Sequence, residues 1–238
     1  MSPPRRALIA VTSASSPIQD GKTAGLYITE ALHPYNVLTA AGFQVDLASE
    51  TGKYTADTNS LDPSALQGED RATWEDTNST FRQKLDKMKP AKELLMEDYG
   101  IFYAAGGHAT LIDFPNAHAL HEIAAQTWDK GGVVASVCHG PAIFDGLLDL
   151  KTRQPLIKGK KLAGFPTEGE EALGVKDEVE AWGQPLIEKT AANMGATYTR
   201  APGLWDDYHV VDGRLVTGQN PASAASTARA AIEVFEKL

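Results

Sequence analysis

An α/β fold with a mostly parallel central sheet flanked by helices on both faces follows from three observations on this 238-residue chain. Short runs rich in Val, Ile, Leu and Ala recur at intervals that leave room for helices, as in parallel strands buried on both sides. Segments of helical length and period separate those runs. The runs close on turns bearing Ser, His or Cys, which puts reactive groups at the carboxyl edge of such a sheet.

Residues 6–13 read as the first buried strand, opening into a polar loop over 14–23. Residues 25–42 read as a helix interrupted by Pro34, and 43–49 as the second strand, so the chain opens with a βαβ unit. Over 50–96 the period weakens, and scattered anchors such as Trp74, Phe81 and Leu85 suggest short helices forming a small inserted cap within one domain spanning 1–238. Strands follow at 99–105 and 133–137, with an amphipathic helix over 116–128 between them. A further short strand is expected at 162–165, a hairpin-like pair over 207–217 about Asp212-Gly213, and a terminal helix over 222–237 opened by Asn220-Pro221.

With 22 Lys plus Arg against 31 Asp plus Glu, the formal charge is −9, which argues against nucleic acid or an anionic membrane as partner. The one cysteine cannot form an internal disulfide, and no stretch reaches membrane-spanning length. A soluble protein of a reducing, cytoplasmic compartment is expected, with the nucleus as a further location.

The chemistry centres on Val133-Val134-Ala135-Ser136-Val137-Cys138-His139-Gly140-Pro141. A β-branched run stops at Cys138, and Gly140-Pro141 then open a helix-like segment, so the thiol sits in a strand-to-helix turn, the arrangement of a nucleophile elbow. The positive end of a helix dipole there is expected to lower the thiol pKa. His139 adds a group that titrates near neutral pH. In Gly106-Gly107-His108, after the preceding strand, the two glycines leave backbone N–H groups free to face an oxyanion. Glu30, in the largely apolar Tyr27-Ile28-Thr29-Glu30-Ala31-Leu32, is either a buried proton carrier beside the thiol or a solvated residue of the helix's outer face, and periodicity leaves both open. His33 reads as structural. Six scattered histidines and one cysteine show no ligand pair at metal spacing, so no metal is expected.

Together, Ala135-Ser136-Val137-Cys138-His139-Gly140-Pro141, Glu30-Ala31-Leu32-His33-Pro34 and Ala105-Gly106-Gly107-His108 resemble the DJ-1/PfpI superfamily, in particular its fungal heat-shock protein 31-like, glutathione-independent glyoxalase III branch. The likeness includes Ser49-Glu50-Thr51-Gly52-Lys53, Trp205-Asp206-Asp207-Tyr208 and Thr217-Gly218-Gln219-Asn220-Pro221. It implies a flavodoxin-like sandwich in which Cys138 is the nucleophile, Glu30 contacts its sulfur, His139 is the second catalytic residue and Glu170 the triad acid, with Glu168 and Glu171 nearby as alternatives. Gly106, Gly107 and His139 would surround the oxyanion. Ala109, where relatives carry Gly, and Pro166-Thr167 depart from the pattern.

The implied reaction turns methylglyoxal into D-lactate without glutathione or any cofactor. The resemblance also implies a homodimer and a stress-chaperone activity towards misfolded proteins. Two other classes share these features: a holdase working through an apolar groove, and a cysteine hydrolase or protein deglycase. The amidotransferase form of the latter is disfavoured, because the late His209 is followed by Val210-Val211 rather than a His-x-Glu pair.

Overall fold

The apolar runs form a seven-stranded sheet in a computed structural model that describes residues 2–238. Its strands, in chain order, are β1 (Arg6–Ala10), β2 (Gln44–Ser49), β3 (Lys89–Pro90), β4 (Ile101–Ala104), β5 (Val133–Val137), β6 (His209–Asp212) and β7 (Leu215–Gly218). Across the sheet they lie in the order β6-β7-β5-β4-β1-β2-β3, all neighbours parallel except the β6–β7 hairpin. The main helices are α1 (Ile28–Ala40), α2 (His118–Asp129), α3 (Thr167–Leu173) and α4 (Ala224–Phe235).

Period-2 alternation divides the core between the two faces. Ala7 and Ile9 of β1, with Ile101 and Tyr103 of β4, pack under Ile28, Leu32 and Leu38 of α1 and Ala228 and Ala231 of α4. Leu8 and Ala10, with Phe102 and Ala104, turn to the other face, against Leu120, Ile123 and Ala124 of α2. Covering both faces is why these strands are continuous apolar runs.

Four local expectations are corrected. The helix α1 runs through Pro34 uninterrupted; Pro34 is buried in its packed face, and tertiary burial outweighs the lost backbone bond. The short strand after residue 160 is Lys161–Leu162, which pairs with Thr197–Tyr198 outside the central sheet. The first strand ends at Ala10, beyond which Val11 N–H still donates to Ala48 O of β2 at 2.9 Å. Residues 50–96 do form short helices, but they also return Lys89–Pro90 to the sheet as its edge strand.

Parallel β1, β4 and β5 bring three loops to one edge: the one after β1, the one carrying Gly106-Gly107-His108, and the turn at Cys138.

Candidate active site

Cys138 follows β5 with φ at +60°, a left-handed conformation that costs about 1–3 kcal/mol for a side-chain-bearing residue and survives only where its surroundings over-determine it. Its N–H donates to Gly218 O of β7 at 3.0 Å, and its carbonyl accepts from Phe165 N–H at 2.8 Å. The turn sets the thiol at the wall of a cavity of about 720 Å³ shared with Tyr27, Gly107, His108, His139, Phe165 and Trp205. Cys138 is only 3% exposed, so the cavity is its route to small molecules.

The expectation of an acidified thiol is corrected. Burial pushes the Cys138 thiol well up, and the charge of Glu30 beside it pushes the same way, while the His139 N–H works against both. Gly140–Phe144 is a single five-residue 3₁₀ stretch, too short for its dipole to prevail.

Glu30, in the first turn of α1, is fully buried, which excludes the solvated alternative. Its Oε2 accepts the Gly106 N–H at 2.9 Å, and Oε1 has no hydrogen-bond partner among the described residues. Burial raises its pKa well above the carboxylate range, although contact with Cys138 and the Gly106 N–H both oppose the rise. Thiol and carboxyl thus titrate as a coupled pair, in which burial opposes the charged form of each.

Gly106 is required here for two reasons, since a Cβ would lie 2.3 Å from Glu30 Oε2 and 2.7 Å from Val137 O. The same engagement corrects its expected part as an oxyanion donor: its N–H already belongs to Glu30. Gly107 and His139 line the cavity, and neither backbone N–H has a backbone acceptor among the described residues. Gly107 has φ at +110°, and a Cβ on it would lie 2.1 Å from Gly25 O. Ala109 has φ at −64°, open to any residue, so this departure from the family pattern brings no backbone strain.

His139 Nδ1 is 3.3 Å from the Cys138 sulfur, and its Nε2 is 2.6 Å from Glu170 Oε1. Glu168 pairs instead with Arg200 at 2.6 Å, and Glu171 is exposed, which separates the three glutamates geometrically. Burial works against ionisation of Glu170, but the charge and hydrogen bonds of His139 and His108 hold it at about 2. An ionised Glu170 must receive Nε2–H from His139, leaving Nδ1 unprotonated towards the sulfur. Burial and the neighbouring His108 charge lower the His139 pKa, so the ring is neutral at pH 7.

His108 completes the group, its Nε2 2.9 Å from Glu170 Oε2. In the sequence it stood only as the end of a Gly-Gly turn; its position directly after a strand was the available signal, and only the fold gives it a partner. Likewise, two of the six histidines that look scattered in sequence, His108 and His139, converge here. Donor atoms of His108, His139 and Glu170 lie within 4.8 Å of one another, the one such set among the described residues, but they already satisfy each other at 2.6 and 2.9 Å. His33 sits apart, bonded to Asp70 at 2.8 Å.

Fold and site together define an α/β protein with a cysteine elbow backed by a buried carboxyl and a His–Glu pair. The chain belongs to the DJ-1/PfpI family, which matches residues 24–234. It is 47% identical over 234 residues to the glutathione-independent glyoxalase HSP31 of Saccharomyces cerevisiae, covering 98% of this chain and 99% of that protein. Glyoxalase 3 of Candida albicans is also 47% identical, over 97% of this chain and 98% of its own. The crystal structure of glyoxalase III from Candida albicans superposes with a TM-score of 0.95 at 46% identity, covering 98% of each chain.

Proposed function

We propose that this protein is a glutathione-independent glyoxalase that converts a small 2-oxoaldehyde such as methylglyoxal into the 2-hydroxy acid, a D-lactate dehydratase type of activity, with Cys138 as nucleophile. One observation carries the reading: the sole cysteine lines a cavity with His139 Nδ1 3.3 Å from its sulfur and the buried Glu30 carboxyl in contact with it. Near-full-length identity of 47% to proteins named for this activity supports it.

The steps follow from the groups. His139 Nδ1 takes the thiol proton as the sulfur adds to the aldehyde carbon, and the resulting oxyanion faces the N–H groups of Gly107 and His139. Protonation of that oxygen gives a hemithioacetal. Loss of the proton on the former aldehyde carbon gives an enediol, and protonation of the neighbouring carbon gives a thioester. Water then opens the thioester, releasing the hydroxy acid and the thiol. The sum is one 2-oxoaldehyde plus one water, with no net electron transfer, so the enzyme's own sulfur takes the place of glutathione. Burial favours the protonated form of Glu30, which can deliver a proton to carbon or oxygen, while neutral His139 is the base. Dimeric assembly and a cytoplasmic location belong to the same reading; no helix among the described residues is long and apolar enough to cross a membrane.

The test is methylglyoxal loss and lactate formation without glutathione, with product chirality assigned. Cys138→Ala should abolish turnover while the circular dichroism spectrum and melting temperature are retained. An unchanged rate in that variant overturns the proposal.

A further inference from the structure

His108 has no part in the reaction as written, yet it lines the cavity with Cys138 and His139 and its side chain is 12% exposed. Glu170 therefore lies between two imidazoles: Oε1 is 2.6 Å from His139 Nε2, and Oε2 is 2.9 Å from His108 Nε2. The two rings are 4.3 Å apart between centroids and tilted by 39°. A carboxylate held by a single hydrogen bond turns freely about its terminal torsion, which has a broad, roughly two-fold profile. A second donor on the other oxygen fixes its plane.

We propose that His108 is a positioning residue for the glyoxalase reaction: by donating Nε2–H to Glu170 Oε2 it holds Oε1 on His139 Nε2, and so keeps bare Nδ1 of His139 against the Cys138 sulfur.

Two further contacts hold this device together. Thr110 Oγ1 lies 2.9 Å from both Gly107 O and His139 O, tying the loop that carries His108 to the elbow that carries His139. Phe165 stacks on His139 at 4.7 Å and meets His108 edge-on at 6.0 Å, packing against both rings. The charged or titratable groups around His108 are Glu170 from α3, His139 from the elbow and Asp57 from the 50–96 segment. Burial works against charge on His108, but the bond to Glu170 and its charge outweigh this and raise its pKa. The donor hydrogen thus persists whichever way the imidazole titrates.

This inference rests on the glyoxalase reading, so its experiment carries one readout independent of turnover. His108→Ala, His108→Asn and His108→Gln are compared with wild type for kcat and KM with methylglyoxal, and for the rate of Cys138 alkylation by iodoacetamide from pH 5 to 9. Gln can place an amide N–H where Nε2 stands; the shorter Asn and Ala cannot. Expected is a loss of about 10- to 100-fold in kcat for Ala and Asn, the scale seen when an orienting outer partner is removed. KM should stay within about threefold, and Gln should recover most of kcat. Alkylation at pH 7 should fall in Ala and Asn and return in Gln. Gln no better than Asn, or Ala within twofold of wild type in both readouts, overturns the proposal. If Ala does not fold, the Asn–Gln comparison decides. If wild type fails to consume methylglyoxal, the glyoxalase reading falls, and the alkylation series alone decides whether His108 positions the His139–Cys138 pair.

Discussion

Replacing Glu170 by Gln removes a charge from between two imidazoles while leaving shape and volume nearly unchanged. A carboxyl held at about 2 instead of its ordinary 4.5 is stabilised in its ionised form by at most about 3 kcal/mol, an upper bound because His139 is neutral at pH 7. Its side chain is 2% exposed, so solvent screening takes little from that figure. Glutamine keeps one acceptor oxygen but turns amide hydrogens towards a ring N–H, so most of the stabilisation should vanish at pH 7. The stabilisation is whole above the unfolded carboxyl pKa of about 4.5 and is lost as pH falls through about 2. Roughly half should remain at pH 3, so the gap between wild type and variant narrows with acidification. Urea denaturation followed by circular dichroism at pH 7, 5 and 3 measures this directly. Turnover of methylglyoxal should fall about 100-fold or more, because the histidine loses the partner that sets its tautomer. A stability difference under about 0.5 kcal/mol at pH 7, or one that widens towards pH 3, refutes the account of Glu170.

Two other substitutions probe neighbouring parts of the site. Glu30→Gln removes the Glu30 contribution to the raised Cys138 pKa and leaves those of burial and Glu170, so alkylation by iodoacetamide at pH 7 should be no slower than wild type while methylglyoxal turnover falls at least about 100-fold. Parallel losses of alkylation and turnover would show Glu30 acting on the sulfur rather than as a proton carrier. Gly106→Ala places a Cβ 2.3 Å from Glu30 Oε2 and 2.9 Å from His139 N, and should cost about 1–3 kcal/mol in denaturation along with most of the turnover. A variant as stable and active as wild type would mean that the loop moves aside freely.

Much of the site was legible as residue type at a strand end. Cys138 after a β-branched run, the glycine pair after β4, and a lone carboxylate in an apolar helix segment each carried a local signal. By residue type alone Glu170 does not stand apart from Glu168 and Glu171; the family resemblance points to it, and the fold pairs it with His139 and Glu168 with Arg200. His108 had no assigned role because its partner lies 62 residues away on another element. The thiol pKa went the wrong way because a dipole can be inferred from local order, whereas burial and a facing carboxyl cannot.

What the sequence determined by itself was the alternation of strands and helices, the continuous apolar runs of a sheet covered on both faces, and the position of the one sulfur at a turn. These depend on short-range periodicity and steric preference, which neighbouring residues carry among themselves. The tertiary structure decided which histidine faces which oxygen, which glycine N–H remains open, and how protons are shared among Glu30, Cys138, His139, His108 and Glu170. Those are outcomes of distance and desolvation between groups far apart in the chain, and they exist only once the strands are laid side by side.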